Sequence, residues 1–136
     1  MMIDQKKLVD EALAARFQAY SPYSNFCVGA ALLCADGEII RGANVENSSY
    51  GGTICAERSA LCAAISQGKR EFSAIAIVGA PKGKEIDAIC APCGICRQVM
   101  SEFASDDFVV LLYNGKDIAE YKLKELLPLS FDKSML

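Results

Sequence analysis

Two short stretches carry the residue types best able to do chemistry, Cys55-Ala56-Glu57-Arg58 and Pro92-Cys93-Gly94-Ile95-Cys96. Cysteines three apart on a helix face one side, because residues three and four apart are helical neighbours. A third thiolate from Cys55 completes three ligands for Zn²⁺ and leaves the fourth tetrahedral position to water. That open position separates a catalytic zinc from a structural one. Glu57, two residues beyond Cys55, can stand beside the metal without occupying it, as a proton shuttle must. A Cys-x-x-Cys pair alone is compatible with a redox pair, half a structural zinc site or coincidence. Glu57 alone is compatible with the ordinary preference for acids in a first helical turn. The two stretches together favour metal-activated water. Three thiolates on Zn²⁺ leave a net negative centre, which two helix N-termini and a donation from Arg58 to a sulfur would offset; the other reading of Arg58 is a solvated surface charge.

The rest of the composition narrows the chemistry. The 136 residues include no histidine, which removes Ser-His and Cys-His triads and histidine metal ligands. Seven cysteines, with a mixed and charged N-terminus in place of a signal peptide, point to reduced thiols in the cytoplasm. Cys90, Cys93 and Cys96 form part of an iron–sulfur spacing, but Val99-Met100 stand where its fourth Cys and Pro would follow. Cys90 therefore reads as incidental, and Cys27 and Cys34 as small core residues. A net charge of −3 without a basic run argues against a nucleic-acid partner, and no apolar run is long enough for a membrane span.

The elements that must position these residues follow from periodicity. Residues 3–20 read as a helix with Asp4 as cap, Pro22 as stop, and Leu8, Ala12, Leu13, Phe17 and Tyr20 as one apolar stripe. Residues 26–33 form a strand apolar on both faces, turned by Asp36-Gly37 into a second strand over 38–44. A polar loop leads to a helix over 54–67, with Thr53 as N-cap and Gly68 as stop. A strand over 72–80 is followed by a surface crossing and a helix begun by Pro92 at its first position. Strands over 108–113 and 118–123 flank Asn114-Gly115, and the tail holds one helical turn. This order predicts one domain, residues 1–136, of α/β class with its sheet between two helical layers.

Phe26, Val28-Gly29-Ala30-Ala31, Asn44-Val45-Glu46-Asn47, Cys55-Ala56-Glu57-Arg58 and Pro92-Cys93-Gly94-Ile95-Cys96-Arg97-Gln98 together resemble the small cytidine deaminases of the zinc-dependent nucleobase deaminases. The resemblance runs from about Tyr20 to the C-terminus. It implies a three-layer α-β-α sandwich around a mixed five-stranded sheet. It also implies hydrolysis of the C4 amine of cytidine and deoxycytidine, giving uridine or deoxyuridine and ammonia in pyrimidine salvage. Zinc, one per chain, would be held by Cys55, Cys93 and Cys96, with Glu57 moving protons between the attacking water, ring N3 and the leaving amine.

The same resemblance gives Phe26 as the ring-stacking residue and Asn44 and Glu46 as the ribose holders. The backbones of Ala56 and Ala91 would read the pyrimidine and its amine. By sequence alone Asn44 and Glu46, two apart at a strand end, share a side and fit either sugar hydroxyls or ordinary turn polarity. A homotetramer is implied too, with Tyr50 and Phe131 lent to a neighbour's pocket. The 52% apolar fraction, with the small apolar run 60–65 on the second helix, leaves surface for such packing. Two rivals stand beside this reading. One is a relative acting on a nucleoside antibiotic or modified pyrimidine. The other is a cysteine-rich binding module with closed zinc, which would need a fourth ligand and would leave Glu57 without a purpose.

Overall fold

Strand residues that alternate between two apolar faces need cover on both. The computed structural model, which describes residues 2–136, supplies it. Five strands, β1 (Phe26–Cys34), β2 (Ile39–Ala43), β3 (Phe72–Pro81), β4 (Val109–Tyr113) and β5 (Ile118–Lys122), form one sheet in the order β2-β1-β3-β4-β5. The sheet is mixed. Only β3 and β4 run parallel, with Ala76 opposite Leu111, and the helix between them makes the crossover.

Helix α1 (Gln5–Ala15) covers one face, packing Leu8, Val9 and Ala12 on Ala31, Ala74, Ala76, Val78 and Leu111. Helices α2 (Ala56–Ser66), α3 (Gly94–Phe103) and the single turn α4 (Leu123–Leu126) share the other, on Ala30, Leu32, Ile75, Ile77, Val110 and Leu112. Each fully buried Leu, Ile, Val or Phe contributes roughly 1.5–3 kcal/mol. An exposed pair such as Lys6–Asp10 is screened by water and contributes little beside that. The two apolar layers therefore hold the molecule together. Among the described residues no helix is long and apolar enough to cross a membrane.

Two glycines set how closely the helices approach. A Cβ at Gly42 would stand 2.5 Å from the Ala56 carbonyl oxygen and the Ala60 nitrogen, and one at Gly29 would stand 2.1 Å from the Ala12 oxygen. Only hydrogen fits there, so α2 rests directly on β2 and α1 directly on β1.

Several boundaries differ from the sequence expectation. The first helix is capped by Asp4 as expected, but it stops at Ala15 and tightens into a 3-10 turn, Arg16–Gln18. The tighter winding carries Phe17 and Tyr20 off the apolar stripe, leaving Phe17 81% exposed. Thr53 is not the cap of α2. Ile54 exchanges backbone hydrogen bonds with Val45, so the helix begins at Ala56 with Cys55 at its N-cap. Pro92 likewise precedes α3, whose N-cap is Cys93. Gly68 follows the end of α2, and Cys27 and Cys34 are buried, both as expected.

Candidate metal centre and nucleoside pocket

Of the three helices on this face of the sheet, α2 and α3 begin on a cysteine. Ser, Thr, Asp or Asn at an N-cap would turn a side-chain oxygen onto the helix. Cys55 and Cys93 make no such bond. Their sulfurs turn towards each other, 3.9 Å apart, and Cys96 in the first turn of α3 brings its Sγ to 3.6 Å from that of Cys93. All three sulfurs lie within 4.8 Å of one another. Tetrahedral ligands about 2.3 Å from Zn²⁺ would stand roughly 3.8 Å apart, so the donor set fits that ion. Among the described residues neither Glu57 nor Cys90 joins the cluster. Three protein donors are the number that catalytic zinc sites use.

The groups around Cys55 favour its anionic form. Donation from the Cys96 thiol, reinforced by Arg58, holds Cys55 well below the usual thiol range, while the same contact and burial hold Cys96 up. A bound metal would displace thiol protons, because the thiolate is the ligating form. Arg58 Nη2 lies 3.5 Å from Cys55 Sγ and 3.4 Å from the Thr53 carbonyl, and its Nε is buried without an acceptor. Arg58 is part-buried against the sulfur, as its donor reading expects and the alternative of a solvated surface charge does not.

Glu57 is only 4% exposed. Burial raises its carboxyl to about 7, the Cys55 charge adding to the rise. A carboxyl balanced near neutrality can take a proton and return it. Cys90 sits close by in the core layer, where burial first and the Glu57 charge next raise its thiol to about 11. A Cβ on Gly79 would stand 2.8 Å from Cys90 Sγ and 2.9 Å from Phe26 Cε2, so the Phe26 ring and the Cys90 thiol meet over that glycine. Ala56 is buried at the start of α2, and Ala91 is exposed two residues before Cys93.

Asn44 and Glu46 are both engaged by the protein itself. Asn44 Oδ1 accepts from Val28 N, and its Nδ2 donates to the Phe26 carbonyl, both at 2.9 Å. One acceptor lone pair and one amide proton remain. Glu46 accepts from the backbones of Tyr23 and Ser24 and from the Ser24 hydroxyl, which holds its carboxyl below the usual range. Glu46, Tyr23, Ser24, Tyr50 and Thr53 line a cleft of about 310 Å³. Tyr50 and Phe131 are 75% and 60% exposed. Neither covers the cysteines as a buried side chain. A larger cavity, about 590 Å³, contains none of these candidate residues.

Three supports escaped the sequence reading. Tyr23 and Ser24 hold Glu46. Arg97 donates to the Pro92 and Leu126 carbonyls, tying the start of α3 to α4, and Gln98 Nε2 holds the Phe131 carbonyl at 2.7 Å. Arg97 and Gln98 stand directly after the Cys93-x-x-Cys96 pair, which was the one local signal for them.

The family described as "Cytidine and deoxycytidylate deaminase zinc-binding region" matches residues 2–112. A cytidine deaminase of Halalkalibacterium halodurans is 52% identical over 130 residues, 95% of each chain. The crystal structure of cytidine deaminase from Burkholderia pseudomallei superposes with a TM-score of 0.87 at 47% identity, covering 95% of this chain and all of that one. Blasticidin-S deaminase of Bacillus cereus is 36% identical over 110 residues, 79% of this chain and 78% of its own.

Proposed function

We propose, from the premise that the chain belongs to the cytidine and deoxycytidylate deaminase family, that its three-cysteine centre serves the hydrolysis of cytidine and deoxycytidine at C4. It is a zinc-dependent cytidine deaminase, releasing uridine or deoxyuridine and ammonia. The observation that carries the reading is the cluster of Cys55, Cys93 and Cys96 at two helix starts, with a buried Glu57 beside it and outside it.

Cys55, Cys93 and Cys96 would hold one Zn²⁺. When bound, the metal supplies a Lewis acid that brings the pKa of water towards neutrality. Arg58 and the two helix N-termini offset the charge of the three thiolates. Glu57 takes a proton from the attacking water and gives it to ring N3, and later carries the proton of the hydroxyl added at C4 to the departing amine. Phe26 stacks on the pyrimidine, the Ala56 backbone and the Ala91 carbonyl read its edge and amine, and Asn44 and Glu46 hold ribose hydroxyls with their remaining hydrogen-bonding capacity.

The whole chain, 1–136, acts as one catalytic domain in the cytoplasm, in pyrimidine salvage. Its partner is a small nucleoside; the net charge of −3 supports that over a polynucleotide or an anionic membrane surface. The exposed Ile95, Tyr50, Leu129 and Phe131 support a homotetramer whose neighbours close each pocket. The resemblance to blasticidin-S deaminase favours one second reading, an enzyme for that nucleoside antibiotic.

An absorbance assay with cytidine, deoxycytidine, cytosine, adenosine and blasticidin S tests both. Turnover of cytidine and deoxycytidine, with cytosine and adenosine untouched, is expected. Turnover of blasticidin S alone would install the second reading.

A further inference from the structure

The 590 Å³ cavity lies where the end of α1 meets the turn after β3, and its side chains Leu13, Ile86 and Tyr113 belong to the α1-side core rather than the cysteine side. Its volume is that of a small-molecule site. Its lining is cationic in a chain whose net charge is −3: Arg16, Lys82 and Lys84 stand against one carboxylate, Glu85.

Arg16 is the telling group. It is 8% exposed, and a buried guanidinium is ordinarily paired with a carboxylate. Here Nε donates to the Cys27 carbonyl at 3.0 Å, and Nη2 donates to those of Ala80 and Pro81 at 3.0 and 2.7 Å. Three carbonyls satisfy protons without cancelling the charge, and Nη1 takes part in none of these bonds. Among the described residues Arg16, Lys82 and Lys84 make no ion pair. The lysines are held on their turn by the backbone, Lys82 N to Asn25 O at 2.8 Å and Lys84 N to Pro81 O at 3.0 Å. Beside them Phe17, displaced outward by the 3-10 turn, presents its ring at the cavity wall.

We propose that this cavity binds a small molecule that joins a phosphate to a flat ring, of the class of a nucleoside monophosphate. Arg16, Lys82 and Lys84 receive the phosphate, since clustered guanidinium and ammonium donors match its charge and oxygens. Phe17 and Ile86 receive the ring.

Calorimetric titration of the zinc-loaded protein with uridine monophosphate tests this, run in excess uridine so that a neutral nucleoside occupies the deaminase pocket. One saturable site per chain is expected to persist. The paired substitution Lys82→Gln and Lys84→Gln should weaken it by about tenfold or more, with kcat/KM for cytidine unchanged. Phe17→Ala, at an exposed position, should weaken uridine monophosphate but not inorganic phosphate. Loss of binding in excess uridine, equal binding by the lysine variant, or phosphate alone binding as tightly as the nucleotide would each overturn the proposal.

Discussion

Arg58 Nη2 stands 3.5 Å from Cys55 Sγ, one helical turn behind the cysteine that opens α2. The contact joins a fixed positive charge to the sulfur at the start of this helix. Partners of this kind behind a metal ligand typically change metal affinity or activity by about 10–100-fold. Arg58→Gln should therefore lower zinc affinity in chelator competition, kcat/KM, or both, by about that factor. A variant matching the parent in both would show that the contact is incidental.

The sulfur cluster predicts which cysteines carry the metal. Elemental analysis should give about one zinc per chain. Cys93→Ser or Cys96→Ser should lose the zinc or most activity. Cys90→Ser should keep it, because Cys90 lies outside the cluster. Iron with inorganic sulfide would contradict the assignment.

Glu57 is buried near the three sulfurs and stands outside their cluster. Glu57→Gln preserves shape and removes proton transfer. Acid–base catalysis by one group is worth about 10²–10⁴-fold, and here one group serves several transfers. The loss in kcat should reach or pass the top of that range with zinc content unchanged. Near-normal turnover by the zinc-loaded variant would exclude the role.

Gly42 lets α2 rest on the sheet, and Cys55 and Glu57 ride on the start of that helix. Gly42→Ala places a methyl 2.5 Å from backbone atoms of Ala56 and Ala60, which cannot yield as a flexible side chain would. Overpacking of this kind costs about 1–3 kcal/mol. The substitution should lower Tm and weaken zinc retention together. An unchanged Tm would mean that the helix shifts freely, and the glycine would not be a positioning residue.

Phe131 is largely exposed on a tail held to α3 through Gln98. If it closes a neighbour's pocket, Phe131→Ala should raise KM with zinc content intact. Activity should also fall on dilution as the assembly dissociates, which sedimentation can follow beside the assay. A fully active monomer would refute both the shared pocket and the tetramer.

The sequence alone determined which residues could do the chemistry, and the order of the elements that carry them. Cys-x-x-Cys, a glutamate two residues past a cysteine, and strands apolar on both faces are local patterns that fix local geometry. The absence of histidine reduced the transition-metal ligands to Cys, Asp and Glu, and two stretches then sufficed to nominate the site. Tertiary structure decided the rest, because each remaining point depended on partners far along the chain. Val45 claimed the backbone of Ile54, and that moved the start of α2 onto Cys55. Arg16 turned inward to carbonyls of β1 and β3, where the tightened 3-10 turn leaves Phe17 outside the core. Asn44 spent half its amide on the start of β1, which its position at a strand end does not reveal. Hydrophobic period and cap preference are set within a few residues, whereas the pairing of a backbone or a buried charge is settled only when distant segments compete for the same hydrogen bonds.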